Sequence, residues 1–220
     1  MPVSRFEILS REPYENGRAF GDTGPYERIE AIAHYAVDPG HDANHGVVDL
    51  ELAERGADGL VHFNGDVTIL RPLSGGRRTL LMQVPNRGKR NITRFNMTAM
   101  GTEDTVEIAP GDGFLFEGGW TVAWAGWQWD VPRTAEHLRL GLTAPQVPLA
   151  ARTPASQMQL RLQINADSDS ISLTDHHVGD LGMHEPISPA DIHDPGARLL
   201  VRDGAYGEPA AISREKWRFE

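Results

Sequence analysis

The sequence predicts an α/β protein rich in β-structure, with an antiparallel amino-terminal part followed by the first strands of a parallel sheet. Its 220 residues include 23 glycines and 15 prolines, a share above the average of about 12% that disfavours a helical bundle. Apolar and polar residues alternate over residues 26–37, as in a strand with one buried face. Residues 79–85 form an apolar run without alternation, followed by a loop, a short helical segment and a second apolar run. That order is typical of a βαβ-like unit.

Composition excludes several classes of function. The formal net charge is −10 and no long run of Lys or Arg occurs, so neither nucleic acid nor an anionic membrane is expected as a partner. Without cysteine there is no disulfide framework, thiolate metal site or cysteine nucleophile. No apolar stretch approaches the roughly 20 residues of a membrane span, and the first twenty residues do not resemble a secretory signal. We therefore expect a cytoplasmic protein.

Three strands are predicted in the amino-terminal part. The first covers residues 26–37 and the second covers residues 47–52. Residues 60–73 form a third strand, or a hairpin interrupted at Asn64-Gly65, which is a strong turn dipeptide. The expected arrangement of these strands is antiparallel.

The parallel part begins at residues 79–85, where an apolar run predicts a strand covered on both faces. It opens into a polar loop over residues 86–90. Asp112 is placed at the N-cap of a short helix that closes at Gly118-Gly119. The apolar and aromatic residues 120–127 predict the neighbouring strand.

The remainder is predicted to be irregular, with a half-buried strand at residues 157–166, a short strand at 170–173, and one more strand followed by a turn near the carboxyl terminus. We divide the chain into a β-rich part (1–75), the start of the sheet with the βαβ-like unit (76–135), and an irregular insertion and connector (136–220).

Histidines and acidic pairs suggest metal sites that their surroundings do not favour. His41 and His45 lie in a loop of Pro, Gly and Asn, so their spacing of four has no helical meaning. The pair Asp167 and Asp169 lacks the Gly and distal Glu of a calcium loop. We expect solvated loop residues here and in a second histidine group, and predict no metal and no cofactor. That group comprises His176, His177 and His184.

No complete catalytic constellation is present. The sequence contains no G-x-S-x-G, no G-x-G-x-x-G and no phosphate-binding P-loop pattern. Ser74 follows a predicted strand but has no helical continuation. The chain alone therefore lacks a recognisable nucleophile.

Two loops at the ends of the predicted parallel strands remain as candidate sites. The first, residues 86–90, holds Asn86 and three cations, at the edge where α/β sheets bind ligands. The second carries Gln128 among three tryptophans, which either roof the core or line an apolar pocket. These tryptophans are Trp124, Trp127 and Trp129.

Five segments resemble, in order, the amino-terminal part of a bacterial family of alpha/beta-hydrolase domain proteins. They are residues 24–39, 44–53, 57–72, 79–90 and 111–132. The resemblance covers residues 20–150 well and continues more loosely to the end. It implies an α/β-hydrolase-type sheet and a serine-type hydrolase of carboxylic esters. Members of the family are longer, and their nucleophile and remaining triad residues lie downstream. The resemblance therefore implies a fragment, or one chain of a divided enzyme, with the carboxy-terminal portion of the same enzyme as partner and no triad residue in this chain.

The resemblance also assigns roles to loop residues. In α/β hydrolases the loop after the third strand gives a backbone N–H to the oxyanion hole. Here that place is taken by Arg87 or Gly88, with Asn86 as pocket neighbour, although the usual His-Gly motif is absent. Trp127 and Gln128 are then expected near a small-molecule ester substrate.

A different class of function remains open. A non-catalytic β-rich module could use the tryptophan-rich strand end to bind an apolar ligand or a partner chain. A gene that continues into G-x-S-x-G favours the enzyme, whereas a stop codon favours the module. If the chain is the truncated start of a hydrolase sheet, its open edge predicts a tendency to form homo-oligomers, whereas a stable monomer favours the self-contained module.

Overall fold

The computed structural model describes residues 3–92, 95–97, 108–131, 140–148, 151, 191–204 and 206–218. The chain divides into two compact units, Met1–Glu185 and Pro186–Glu220. No helix among the described residues has the length and apolar character needed to cross a bilayer.

In the first unit the described residues form a mixed sheet of seven strands and one short helix. With the strands numbered along the chain, their order across the sheet is first, third, fourth, sixth and fifth. The second strand pairs with the third, and the seventh pairs with the fourth. The fifth and sixth strands are parallel and the other pairs are antiparallel. The predicted β-rich fold with an antiparallel start is confirmed. The elements are β1 (Val3–Pro13), β2 (Ala19–Phe20), β3 (Gly24–Val37), β4 (Val61–Pro72), β5 (Leu80–Gln83), α1 (Phe114–Glu117), β6 (Thr121–Ala125) and β7 (Leu142–Thr143).

β3 confirms the strand predicted from alternation over residues 26–37. It pairs with β4 from Tyr26 opposite Pro72 to Val37 opposite Val61. Successive side chains point to opposite faces, so the two faces have separate cores. One contains Ile29, Ala31, Ala33 and Val67; the other contains Tyr26, Leu70, Val122, Trp124 and Phe116.

β4 is one continuous strand, so the hairpin alternative at Asn64-Gly65 is wrong. Asn64 pairs with His34 and Gly65 with Ala33. A Cβ atom at position 65 would lie 2.9 Å from the carbonyl oxygen of Gly126. Glycine serves here for close backbone approach instead of a turn.

The strand predicted over residues 47–52 is also wrong. This segment forms turns and a 3-10 turn at Leu50–Leu52, and Asp49 has a left-handed backbone (φ 59°). Leu50 is buried against Val37, Ala53 and Val61, while Val48 is exposed. Leu50 is the one buried residue of this segment, and it fixes the loop to the core. The apparent alternation in the sequence does not correspond to strand pairing.

The βαβ-like unit is confirmed by β5, α1 and β6. The helix begins after Gly113 (φ 81°), one residue later than predicted, and the Asp112 carboxylate accepts the Phe114 N–H at 3.2 Å. Its C-cap is Gly118, and Gly119 follows with φ 72°. The Tyr26 hydroxyl donates to the carbonyl oxygens of Phe116 (3.0 Å) and Trp120 (2.9 Å), and burial raises the pKa of Tyr26 to about 12.

The prediction that residues 79–85 are covered on both faces is wrong. Leu80 is 57% exposed and Met82 is 49% exposed. Within the described part of the chain, β5 pairs on one side only, with β6. It is therefore an edge strand, although its composition is that of a central one.

The second unit contains an antiparallel pair, β8 (Leu199–Val201) and β9 (Ala210–Ile212). A 3-10 turn at Arg214–Lys216 follows, and the Arg214 guanidinium lies 3.9 Å from the centroid of the Trp217 ring. The prediction of one strand and a turn at the carboxyl end is met in part, because two strands precede the turn. The strands predicted at 157–166 and 170–173 lie outside the described residues.

Candidate functional site

The candidate site lies where β5 and β6 end. These parallel strands are in register, with Gln83 beside Trp124. Their carboxyl ends therefore meet at one edge of the sheet, and the loops that follow, residues 84–90 and 126–131, lie side by side. The sequence-predicted site residues Asn86, Arg87 and Gly88 are in the first loop, and Trp127 and Gln128 are in the second.

The first loop has an unusual backbone. Asn86–Gly88 forms a 3-10 turn in which Arg87 has φ 53° and ψ 33°, and Gly88 has φ 71°. The left-handed region costs a non-glycine residue about 1–2 kcal/mol. Contacts with the second loop must therefore hold Arg87 in place.

Three hydrogen-bonded contacts join the loops. The Arg87 backbone N–H donates to Gln128 Oε1 at 2.6 Å. The Arg87 Nη1 donates to both carboxylate oxygens of Asp130, at 3.0 and 2.9 Å. The Trp127 indole N–H donates to the Pro85 carbonyl oxygen at 2.8 Å. The pairing of Arg87 with Asp130 is charge-assisted and mostly removed from solvent.

A third segment, residues 140–142, forms backbone hydrogen bonds with both loops. The Leu140 N–H donates to the Gly88 carbonyl oxygen at 3.0 Å, and the Leu142 N–H donates to the Gln128 carbonyl oxygen at 2.9 Å. One backbone carbonyl of each loop is thus held by this segment.

The sequence left open whether the three tryptophans cover the core or line an apolar pocket, and they do not all behave alike. Trp124 is fully buried in the core, and its indole N–H donates to Gln83 Oε1 at 2.7 Å. Trp127 is 53% exposed and Trp129 is 50% exposed. Trp124 therefore roofs the core, while the other two present apolar surface beside the loops.

The cations of the first loop do not form a uniform positive patch. Arg90 is buried, and its Nε donates to Thr68 Oγ1 at 2.9 Å. Its Nη2 lies 3.6 Å from Glu30. Burial lowers the pKa of the Arg90 guanidinium, and the nearby Glu30 opposes that shift. Arg90 thus anchors the loop to the sheet, and Arg87 is paired with Asp130, whereas Asn86 is exposed.

Sequence reasoning missed Asp130, Gln83 and the Arg90 anchor. Asp130 follows Gln128 by two residues, and an acidic residue there could have been paired with the cations of residues 86–90. The contacts of Gln83 and Arg90 depend on strand register, which no local pattern reveals.

The histidines of the described loops are exposed. His41 Nδ1 accepts the Ala43 N–H at 3.1 Å, and His45 lies 3.9 Å from the exposed Asp42. Across the residues that the structure describes, no group of three or more His, Asp or Glu is placed to hold a metal ion. His176, His177, His184, Asp167 and Asp169 lie outside the described residues.

A separate recess of about 170 Å³ lies on the first unit. It is smaller than the roughly 300–1,000 Å³ of a ligand pocket, so we do not assign it a function. Its lining residues are Val47, Val48, Asp49, Leu50, Ala53, Pro145 and Val147.

Comparisons with protein-family models, with curated proteins and with solved structures found no match. The fold and the site therefore define the chain only as a β-rich protein with a mixed sheet and paired loops at the ends of two parallel strands.

Proposed function

We propose that the chain is the amino-terminal portion of a serine-type α/β hydrolase that acts on carboxylic esters. In this proposal the nucleophile, the acid and the base belong to a carboxy-terminal portion of the same enzyme. This chain supplies the oxyanion loop and part of the substrate pocket.

The strand order carries the proposal. If β3, β4, β5 and β6 are counted along the chain as first, second, third and fourth, their order across the sheet is first, second, fourth, third. The second runs antiparallel to both neighbours, and the third and fourth are parallel. Sheets of the α/β-hydrolase type begin with this order and these directions, so the topology supports the family resemblance of the sequence.

The position of the first loop supports the same function. It follows β5, the third strand in this count, and α/β hydrolases take one oxyanion donor from the loop after the third strand. The N–H of Arg87 already meets an oxygen atom, Gln128 Oε1. A backbone donor held in this way suits the developing negative charge of an ester transition state.

The exposed indoles suit an ester with an apolar group. Trp127 and Trp129 offer apolar surface on the loop whose Gln128 contacts the Arg87 amide, and such surface accepts an acyl or alcohol chain. We therefore assign Asn86, Arg87, Gly88, Trp127 and Gln128 to the substrate side of the enzyme.

The test uses the full product of the gene. We expect the coding sequence to continue past Glu220 into a G-x-S-x-G segment, and the full product to hydrolyse a nitrophenyl ester. The 220-residue chain alone should not exceed a protein blank, because in this proposal the activated nucleophile lies outside it. A stop codon after Glu220, or hydrolysis by the isolated chain, would contradict the proposal.

A second candidate is the non-catalytic binding module. The half-exposed Trp127 and Trp129 favour it, because aromatic side chains at a loop pair can bind an apolar ligand without any chemistry. A stop codon after Glu220 together with saturable binding of an apolar ligand that quenches tryptophan fluorescence would support the module over the enzyme.

A further inference from the structure

We infer that the side-chain oxygen of Gln128 occupies the ligand's position at the Arg87 N–H. The carbonyl oxygen of a neutral ester displaces it and accepts the same hydrogen bond. This inference rests on the proposed function and deepens it, because it names the residue that a substrate displaces and the charge that the substrate carries.

The geometry at Arg87 is the first support. Its left-handed backbone directs the N–H toward the second loop, where the acceptor is a side-chain carboxamide oxygen at 2.6 Å. A carboxamide oxygen and an ester carbonyl oxygen are both neutral, planar acceptors. The position of Oε1 is therefore one that a substrate carbonyl oxygen can occupy with the same hydrogen bond.

The second support is that displacement needs only side-chain rotation. The Gln128 backbone carbonyl is held by the Leu142 N–H, and Gln128 is only partly buried. Rotation of its side-chain torsions can therefore release the Arg87 N–H while both loops keep their backbone contacts.

Charge selects a neutral ligand. The Arg87 guanidinium is paired with both oxygens of Asp130, so the loop offers an incoming group a backbone dipole instead of an unpaired cation. A carboxylate ligand would therefore lose its hydration without gaining an unpaired cation from Arg87, a cost that a neutral ester does not carry.

The test compares ligand binding by the 220-residue chain and its variants. The probes are methyl butyrate and the butyrate anion, and the readout is the chemical shift of the Arg87 amide and the Gln128 side-chain amide. Methyl butyrate should move the Arg87 amide and the Gln128 side-chain amide resonances together. The anion should bind more weakly.

Two substitutions at Gln128 should change the affinity for methyl butyrate in opposite directions. Gln128→Leu keeps the volume but removes the competing acceptor, so methyl butyrate should bind about three- to tenfold more tightly. Gln128→Glu keeps the shape and strengthens the acceptor with a charge, so the ester should bind more weakly than to the wild-type chain. The matched control is Gln146→Leu, at an exposed position in another loop, which should leave the Kd unchanged.

Equal affinity of the wild-type and Gln128→Leu chains would overturn the inference, as would the absence of binding by either chain or tighter binding of the anion. If Gln128→Leu fails to fold, the joint movement of the two resonances in the wild-type chain decides. The inference and the proposed function fail separately. Esterase activity of the full gene product without an effect of Gln128 refutes only the inference, and a Gln128 effect without esterase activity refutes only the proposed function.

Discussion

Two glycines set how closely the sheet and the site loops approach each other. Gly65 lies under the carbonyl oxygen of Gly126, and a Cβ at Gly126 would overlap the carbonyl oxygen of Gly141. These close contacts accompany hydrogen bonds from the Gly126 N–H to the Asp66 carbonyl oxygen and from the Asp66 N–H to the Gly141 carbonyl oxygen. Side chains at these points would push the second loop away from β4.

Gly65→Ala should therefore destabilise the chain by about 1–3 kcal/mol, since the added methyl group overpacks a site closed by backbone. The free energy of unfolding measured by chemical denaturation checks this. Gly46→Ala is the control, because a Cβ there has nothing within 4 Å and the change should be close to neutral. Equal stabilities of the two variants would contradict the close approach at Gly65.

Asp130→Asn should weaken the contact between the loops. It removes the charge that pairs with Arg87, and loss of charged hydrogen bonds at this mostly buried position should cost about 1–3 kcal/mol. The amide resonance of Arg87 should shift at the same time. The exposed pair of Asp42 and His45 provides the control, since Asp42→Asn should change neither quantity; an Asp130→Asn variant as stable as this control would count against the contact.

The carboxylate of Glu7 should make a pH-dependent contribution to stability. Its hydrogen bond with His34 (2.8 Å), together with the charge of Arg5, holds the pKa of Glu7 below its ordinary value of 4.5. Because the folded pKa is the lower one, this contribution to stability is complete above pH 4.5 and is lost as the pH falls through the folded pKa.

His34→Ala should therefore raise the pKa of Glu7 toward 4.5, as measured by NMR titration of its side-chain carboxyl. Asp58 provides an internal control, because its own hydrogen bond with His62 lowers its pKa and should be unaffected. An unchanged pKa of Glu7 in the variant would show that His34 is not the cause.

Residue identity predicted some of these features and misled at others. Asp112 and Gly118-Gly119 marked the helix ends to within one residue, because capping chemistry is local. Asn64-Gly65 suggested a turn, but its meaning depends on Gly126, which is distant in sequence. The contact between Arg87 and Asp130 was missed for the same reason.

Among the elements, the exposed edge of β5 has the clearest consequence. Leu80 and Met82 are apolar, about half exposed, and on the same face of a strand at the edge of the described sheet. Edges of this kind pair with other chains, and screening at physiological salt limits the repulsion from the net charge to about 8 Å.

The isolated chain should therefore self-associate, and Leu80→Lys with Met82→Lys should shift it toward the monomer because lysine protects sheet edges. Light scattering as a function of concentration measures the change. Val48→Lys is the matched control, at a more exposed apolar residue in a loop, and should leave association unchanged. A stable wild-type monomer at high concentration would contradict the account of this edge.

Periodicity predicted the elements that have a strong pattern and two packed faces. Residues 26–37 were placed well, and the order of β5, α1 and β6 was correct. Residues 47–52 were misread because only Leu50 is buried. β1 was not assigned because both of its faces are largely exposed and its alternation is weak. The exposure of β5 could not be predicted, since it depends on which strand lies beside it and not on its composition.

At the scale of the whole molecule, the sequence and the topology point to the same sheet by different routes. The order of apolar segments suggested a parallel unit after an antiparallel start, and the strand pairing has that form. The site is less complete, because the loops supply a donor, a paired cation and apolar surface but the sequence has no nucleophile motif. The proposed function accordingly places the reacting serine outside these residues.

Labelling of the full gene product with a fluorophosphonate, followed by mass spectrometry of its peptides, tests that claim most directly. A fluorophosphonate reacts stoichiometrically only with an activated serine. The proposed function predicts one labelled serine, located after residue 220 within a G-x-S-x-G segment, and no label on the serines of residues 1–220. Stoichiometric label on a serine within these residues, or no label on any serine of the full product, would contradict it.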